Sequence, residues 1–384
     1  MTKIKFGTDG WRAIIGKEYT TDNVARVSIA VADWLHANFT NPSVVIGHDC
    51  RFAGELFAET TAKVLANQGV IVRMAKGFVS TPMVSLGVIH QKANIGVVIT
   101  ASHNPPTYNG YKLKGDFGGP LLSADILAIE KLIPDCNTVD YNATRMEDLV
   151  DAGKVIYIDL EDAYCKHAES HFDLDAINNS RMNFAYDAMF GAGMNAVSRL
   201  MPNTTLLHCD NNPGFLGTPP EPIHRNLTEF SDFMRNNDLD CGFATDGDAD
   251  RIGLYDSSGH FIDSHHIILL LIHYLVKYKH MSGKIVTAFS CSVKVDKICA
   301  HYGLEQDIVQ IGFKHIAGQM ISQDVLLGGE ESGGIATKGH IPERDGIWMG
   351  LILFEFMAKS GKSIEDLIAE VYDIVGPFAF ERID

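Results

Sequence analysis

Apolar positions in this chain fall into short β-branched runs, each trailed or preceded by a longer stretch whose apolar residues recur at helical spacing. SVVIGHD at 43–49, GELFAETTAKVLANQG at 54–69, VIVRMA at 70–75 and NIGVVITAS at 94–102 predict strand, helix, strand and strand. The same grammar returns at MNFAYDAM (182–189), GAGMNAVSRLM and TTLLHCD (204–210). It returns again at GKIVTAFS (283–290), VKVDKICAHYG, QDIVQI (306–311) and DVLLGGE (324–330). Three consecutive mixed α/β domains of similar topology are therefore predicted, each a sheet layered with helices. The polar stretch 134–155 and the SSG-containing segment near Asp256 to Asp263 mark the seams, giving domains at 1–150, 151–256 and 257–375, with 376–384 leading onward.

The longest apolar run, IILLLI at 267–272, lies between His266 and His273. It falls well short of the ~20 residues that a spanning helix needs and predicts one face of a buried helix.

Composition narrows the function more than the fold. A length of 384 residues with 46% hydrophobic content supports more than one core, because single cores stop growing near ~250–300 residues. The formal charge of −16 opposes encounter with nucleic acid or an anionic membrane. An anionic substrate must then meet local positive charge. Seven cysteines without a CxxC pair suit neither a disulfide framework nor a zinc finger. The opening MTKIKFGTDGWRA has no apolar signal core, so a reducing cytoplasm is the expected location.

TDGDADR at 245–251 sets Asp246, Asp248 and Asp250 at alternate positions. Fully extended, the outer two would stand roughly 13 Å apart, so sharing an ion requires a curl, which Gly247 eases. The segment reads either as a solvated acidic turn or as an all-oxygen cage for a hard cation such as Mg2+. An EF-hand is excluded, since its sixth position would be Arg251 and its twelfth Ser257. Arg251, directly after the acids, is well placed to meet phosphate.

VITASHNPPTYNGYK at 98–112 leaves a strand through Ser102 and His103 into two prolines. It is open to two readings, a plain turn or a serine held at a strand end for chemistry. No GxSxG elbow surrounds Ser102. Lys112 and Lys114 follow closely, and a serine, an acidic cage and nearby cations are the parts that phosphoryl transfer requires. LLGGEESGG at 326–334 reads as a flexible turn or as a loop that offers Glu330 and Ser332 to sugar hydroxyls.

FGTDGWR (6–12), TASHNPPTYNGYK (100–112), TDGDADR (245–251) and GEESGG (329–334), in that order, resemble the α-D-phosphohexomutase superfamily of phosphoglucomutases and phosphomannomutases. YDAMFGAG at 186–193 and PEPI at 220–223 extend the likeness over essentially the whole chain. The resemblance implies three domains around a central cleft, a phosphoryl-carrying Ser102, and Mg2+ held by Asp246, Asp248, Asp250 and a phosphoserine oxygen. It also implies proton transfer by Lys112, an orienting His103, phosphate contacts from Arg251, and a cleft floor at Arg12. Glu330 and Ser332 would read the sugar, with Lys314 of IGFKHI completing a cationic pocket.

The implied reaction interconverts hexose 1-phosphate and 6-phosphate, of glucose or mannose, through a hexose 1,6-bisphosphate that also serves as activator. GEESGG and GFK tilt the choice toward glucose, and PPTYNGYK disfavours the glucosamine branch. The family's fourth domain, which grips the non-reacting phosphate, is expected to be absent, because the sequence given stops at FERID. Impaired turnover is the consequence. A Mg2+-dependent sugar-phosphate phosphatase and a non-catalytic member of the fold are the competing readings.

Overall fold

The computed structural model describes residues 3–380 and carries three mixed sheets in succession. The first holds β1 (Trp11–Ile14), β2 (Ser43–His48), β3 (Ile71–Phe78), β4 (Ile95–Ile99), β5 (Tyr108–Gly115) and β6 (Val155–Ile158), in the order β1-β5-β4-β2-β3-β6. The second holds β7 (Phe184–Asp187), β8 (Thr205–Leu207), β9 (Cys241–Thr245), β10 (Ile252–Asp256) and β11 (Phe261–Ile262), in the order β11-β10-β9-β7-β8. The third holds β12 (Lys284–Ala288), β13 (Gln306–Val309), β14 (Val325–Gly329) and β15 (Ile335–Thr337), in the order β13-β12-β14-β15.

Two strands reach past the expected seams. β6 pairs in parallel with β3, so the first sheet extends beyond residue 150. β11 pairs with β10, so the second sheet extends beyond residue 256. Both are short partners added after a polar connection, where the apolar pattern gives little warning. Of the segment 376–384, residues 381–384 lie outside the described residues.

One plan repeats. In each sheet an inner strand with parallel neighbours turns straight into an antiparallel one: β4 into β5, β9 into β10, and β14 into β15. Those turns are the segments singled out from sequence, with Ser102 after β4, the aspartates after β9 and Glu330 after β14. β4 is buried at every position, as a strand covered on both faces should be. Alternation along β5 puts Lys112 and Lys114 on one face, and the register sets Lys112 opposite Val98 and Gly110 opposite Arg12.

The first sheet divides two cores. One face packs Val24, Phe57 and Leu65 from the helices Thr21–Asn38 and Gly54–Asn67. The other opens into a continuous buried cluster running from Val45 and Val84, through Phe184 and Ile252, to Ile268 and Trp348. Phe184 of β7 stacks on Phe354 of the helix Gly346–Ser360, with ring centroids 3.9 Å apart. IILLLI lies in the helix Ser264–His273, which is buried on all sides rather than one. Among the described residues no helix is long and apolar enough to cross a membrane.

Candidate active site

Ser102 is held by its neighbours more than by its own turn. Past β4, the Thr100 hydroxyl accepts from the Ser102 N–H (2.9 Å) and donates to the buried Asp49 carboxylate (2.5 Å). Ser102 itself is fully buried with φ of 51°, a left-handed conformation rare for residues with a Cβ. Such a conformation persists only where its surroundings enforce it. Here Arg51 does so, donating to the carbonyls of Ser102 (2.5 Å), Asn104 (2.6 Å), Pro105 (2.9 Å) and Tyr108 (3.1 Å). The two prolines stop any helix after the serine, which leaves the loop's carbonyls for the guanidinium.

The aspartate loop curls as a shared ion demands. The Asp246 carboxylate accepts from the N–H groups of Asp250 (2.9 Å) and Arg251 (3.1 Å), and the Ala249 N–H donates to the Asp246 carbonyl (3.0 Å). Ligand oxygens of Asp246, Asp248 and Asp250 thereby come within 4.8 Å of one another. The Ser102 hydroxyl donates to Asp246 Oδ2 at 2.6 Å, so loops of two domains meet at one point. Thr81 adds a third element, its hydroxyl 2.5 Å from Asp248 Oδ2.

Lys112 spans the opposite side, with Nζ 2.7 Å from Asp248 Oδ2, 3.0 Å from Asp250 Oδ2 and 2.8 Å from Asp9 Oδ2. Arg344 lies beside it, 2.8 Å from Asp250 Oδ2 and 2.5 Å from Asp9 Oδ2. The remaining oxygens, Asp248 Oδ1 and Asp250 Oδ1, are buried without a hydrogen-bond partner. Buried carboxylate oxygens are costly to leave unpaired. Two such atoms in a convergent all-oxygen trio fit a hard divalent cation such as Mg2+.

Burial, and then repulsion from Asp248 and Asp250, pushes the Asp246 carboxyl well above the usual carboxylate range. Burial also acts to raise Asp248, but Lys112 and the Thr81 hydroxyl outweigh it and hold that group well below the range. Asp9 is likewise held low against burial, by Arg344, Lys112, Lys114 and Arg12. Lys112 stays an ammonium, because Asp248, Asp250 and Asp9 overcome its desolvation. Burial, with Arg251 and Arg12 nearby, drives His103 down to about 2 and leaves the imidazole neutral. Its Nδ1 lies 3.4 Å from the Ser102 hydroxyl.

A cleft of about 440 Å³ opens in front, lined by Arg12, His103, Arg251, Glu330, Ser332 and Arg344 among others. A second space of about 690 Å³ adjoins it and shares His103, Arg251 and Ser332. Arg12 donates to the Asn104 side chain at 2.8 Å, fixing it beside the serine loop. Glu330 is 5% exposed and accepts from the Gly312 N–H at 2.8 Å; burial raises its carboxyl despite Arg344. Gly334, in the same turn, lets Arg344 pass, since a Cβ there would stand 2.5 Å from Arg344 Cδ.

Two further cations lie on the far side of Asp9. Lys114 is fully buried and bonded to Glu343 at 2.6 Å. Lys314 borders a pocket of about 20 Å³ that shares Gly7, Thr8, Asp9 and Gly10 with the main cleft. Sequence reasoning passed over Arg51, Asp49, Thr81, Asp9 and Arg344. Asp9 sits inside the FGTDGWR motif, and the charge-dense IPERDG at 341–346 was the available signal for Arg344.

Comparison with known proteins follows the same three-part division. Models described as phosphoglucomutase/phosphomannomutase alpha/beta/alpha domains I, II and III match residues 3–138, 162–259 and 263–375. A phosphoglucomutase/phosphomannomutase of Thermococcus kodakarensis is 29% identical over 373 residues, covering 95% of this chain and 80% of its own. A phosphoglucosamine/phosphogalactosamine mutase of Sulfurisphaera tokodaii is 29% identical over 371 residues, covering 94% and 79%. A crystal structure from Thermus thermophilus, assigned to the phosphomannomutases, superposes with a TM-score of 0.91 at 33% identity, covering 98% of this chain and 84% of that one.

Proposed function

The chain belongs to the phosphoglucomutase/phosphomannomutase family, and from that premise we propose that it interconverts the 1- and 6-phosphates of glucose or mannose through a phosphoserine at Ser102 and a hexose 1,6-bisphosphate. The observation that carries this reading is the buried 2.6 Å contact between the Ser102 hydroxyl and Asp246, beside two unpartnered carboxylate oxygens and next to His103, which lines a cleft with Arg12, Arg251 and Arg344.

Asp246, Asp248 and Asp250 would hold the cation. Bound there, Mg2+ would supply charge neutralisation for the transferring phosphoryl group. The other groups bind, orient and move protons. Arg51 and Thr100 keep the serine oxygen aimed at the trio. Lys112, held as an ammonium, is suited to give a proton to the oxygen that the phosphoryl group leaves behind and to take it back when that oxygen is phosphorylated again. Arg12 and Arg251 line the cleft where an anionic substrate meets positive charge, and Glu330 with Ser332 faces the hydroxyls of the hexose. Little covalent chemistry falls to the protein, so alignment and charge account for most of the rate.

The test incubates the protein with Mg2+, hexose 1,6-bisphosphate and the 1-phosphates of glucose, mannose and glucosamine in turn, following 6-phosphate and free phosphate. Peptide mapping locates the phosphate. Formation of 6-phosphate with label on Ser102 supports the proposal, free phosphate alone indicates the phosphatase reading, and an unphosphorylated Ser102 overturns both.

A further inference from the structure

Away from the phosphoryl site, His167, His171 and His340 gather around Trp348, and His90 lies against His167. His90 ends the helix Thr81–Gln91 of the first domain, His167 and His171 belong to the helix Leu160–Glu169 and the turn after it, and His340 follows β15. Ring centroids of His167 lie 4.3 Å from His171, 5.3 Å from His340 and 6.0 Å from His90. His340 stacks flat on Trp348 at 3.8 Å, which fixes its plane.

The hydrogen bonds fix its tautomer too. His340 Nε2 lies 2.9 Å from Asp345 Oδ2, and that carboxylate can only accept, so Nε2 carries the proton. Asp345 is itself anchored by the Tyr164 hydroxyl (2.8 Å) and the Trp348 N–H (2.9 Å). The lone pair of His340 therefore sits on Nδ1, and it faces His167 Nε2 at 3.2 Å. A carboxylate that orients a histidine from behind is the usual support of a metal-binding imidazole. Two imidazole nitrogens bound to one tetrahedral Zn2+, at Zn–N distances of about 2.0–2.1 Å, stand roughly 3.3 Å apart.

We propose that His167 and His340, completed by His171 or His90, form a binding site for a late first-row divalent cation such as Zn2+, which would tie the second domain to the third, and the first to both where His90 is the third ligand. Imidazoles favour such ions over Mg2+. Among the described residues the aspartate trio is the one group of three whose ligand atoms already converge within 4.8 Å. The histidine site has two nitrogens in place, and its third ligand comes from the exposed ring of His90 or from Nε2 of His171, whose Nδ1 is held by the His167 carbonyl (2.8 Å) and the Ser170 hydroxyl (3.0 Å). The competing account of the same contact is a hydrogen bond from His167 Nε2–H to His340 Nδ1, with no ion at all.

Equilibrium dialysis of the whole chain against Zn2+ in excess Mg2+, with elemental analysis, separates them. Replacement by Co2+ gives a visible absorption signature of imidazole coordination. One Zn2+ per chain is expected, retained in Asp248→Asn and weakened at least tenfold in His167→Gln and His340→Gln. Should either core variant fail to fold, the double variant His90→Ala/His171→Ala alters only exposed rings and is expected to weaken Zn2+ by a similar factor. Absence of Zn2+ in the unaltered protein, its loss in Asp248→Asn, or unchanged affinity in the histidine variants overturns the proposal. None of these outcomes bears on phosphoryl transfer at Ser102.

Discussion

Gly247 lies so close to Ser102 that a Cβ at position 247 would stand 2.7 Å from the Ser102 carbonyl oxygen. The two loops, from different domains, can share a wall only because one residue there has no side chain. Gly247→Ala is expected to force them apart, costing about 1–3 kcal/mol of stability and roughly 100-fold in kcat through misplacement of the serine oxygen. Urea unfolding and a coupled 6-phosphate assay check both numbers; unchanged kcat would show that the contact is incidental.

Arg51 is predicted to matter as a fork and not merely as a charge. Arg51→Ala leaves Asp49 buried without its cation and removes donors from the carbonyls of Ser102, Asn104, Pro105 and Tyr108, a loss of about 3–5 kcal/mol. Arg51→Lys restores the charge but cannot address the same carbonyls, so it should recover only part of the stability and little of the activity. Denaturant midpoints and kcat of the two variants are the measurements.

Asp49 carries a pH dependence of predictable sign. Burial outweighs Arg51 and Thr100 and raises its carboxyl from the ordinary 3.8 to about 6. Between those values the native state holds a proton that the unfolded chain has released, so this group's contribution is full below pH ~4 and is lost as pH rises through about 6. The rise corresponds to a loss of up to roughly 3 kcal/mol. Asp49→Asn should therefore gain stability relative to the unaltered protein between pH 4.5 and 7.5. A difference that does not vary with pH would refute the raised value.

Mg2+ should stabilise the fold through the unpartnered oxygens of Asp248 and Asp250. At a hundredfold excess over Kd, binding contributes about 2.7 kcal/mol, seen as a rise in Tm that chelation reverses. Asp248→Asn should abolish the rise. If the rise survives that substitution, the cation binds elsewhere.

His103 should leave the pH profile alone. With its imidazole driven down to about 2, it does not titrate in a working assay. His103→Gln is expected to lower kcat by disturbing the Ser102 hydroxyl while keeping the acid and alkaline limbs of kcat/KM in place. A limb that moves would assign the histidine a proton-transfer role.

The parts of the site that could be read from sequence were those whose chemistry is packed into a few consecutive residues. TDGDADR and TASHNPP each announce themselves because alternate aspartates, or a serine followed by two prolines, are poor components of a regular element. Arg51 gave no such sign, since its partners lie 51 to 57 positions away and its own surroundings, HDCRFAG, read as an ordinary strand-to-helix turn. Thr81 and Asp248 are further apart still, and only folding brings the start of one domain's helix to another domain's loop. For Lys114 and Lys314 the sequence shows that a lysine is cationic but not which way its stem runs, and the fold sets both beside Asp9. The sheets were legible where β-branched runs are long and failed at β6 and β11, short strands that owe their place to a neighbour.

The buried cluster that runs unbroken from Val45 to Trp348 also limits how this polypeptide can come apart. Its three sheets are not beads on a string but share one dry interior, so heat or denaturant should melt them in a single calorimetric event. For the same reason none of the three is portable. Excised alone, each would carry a raw apolar flank into water.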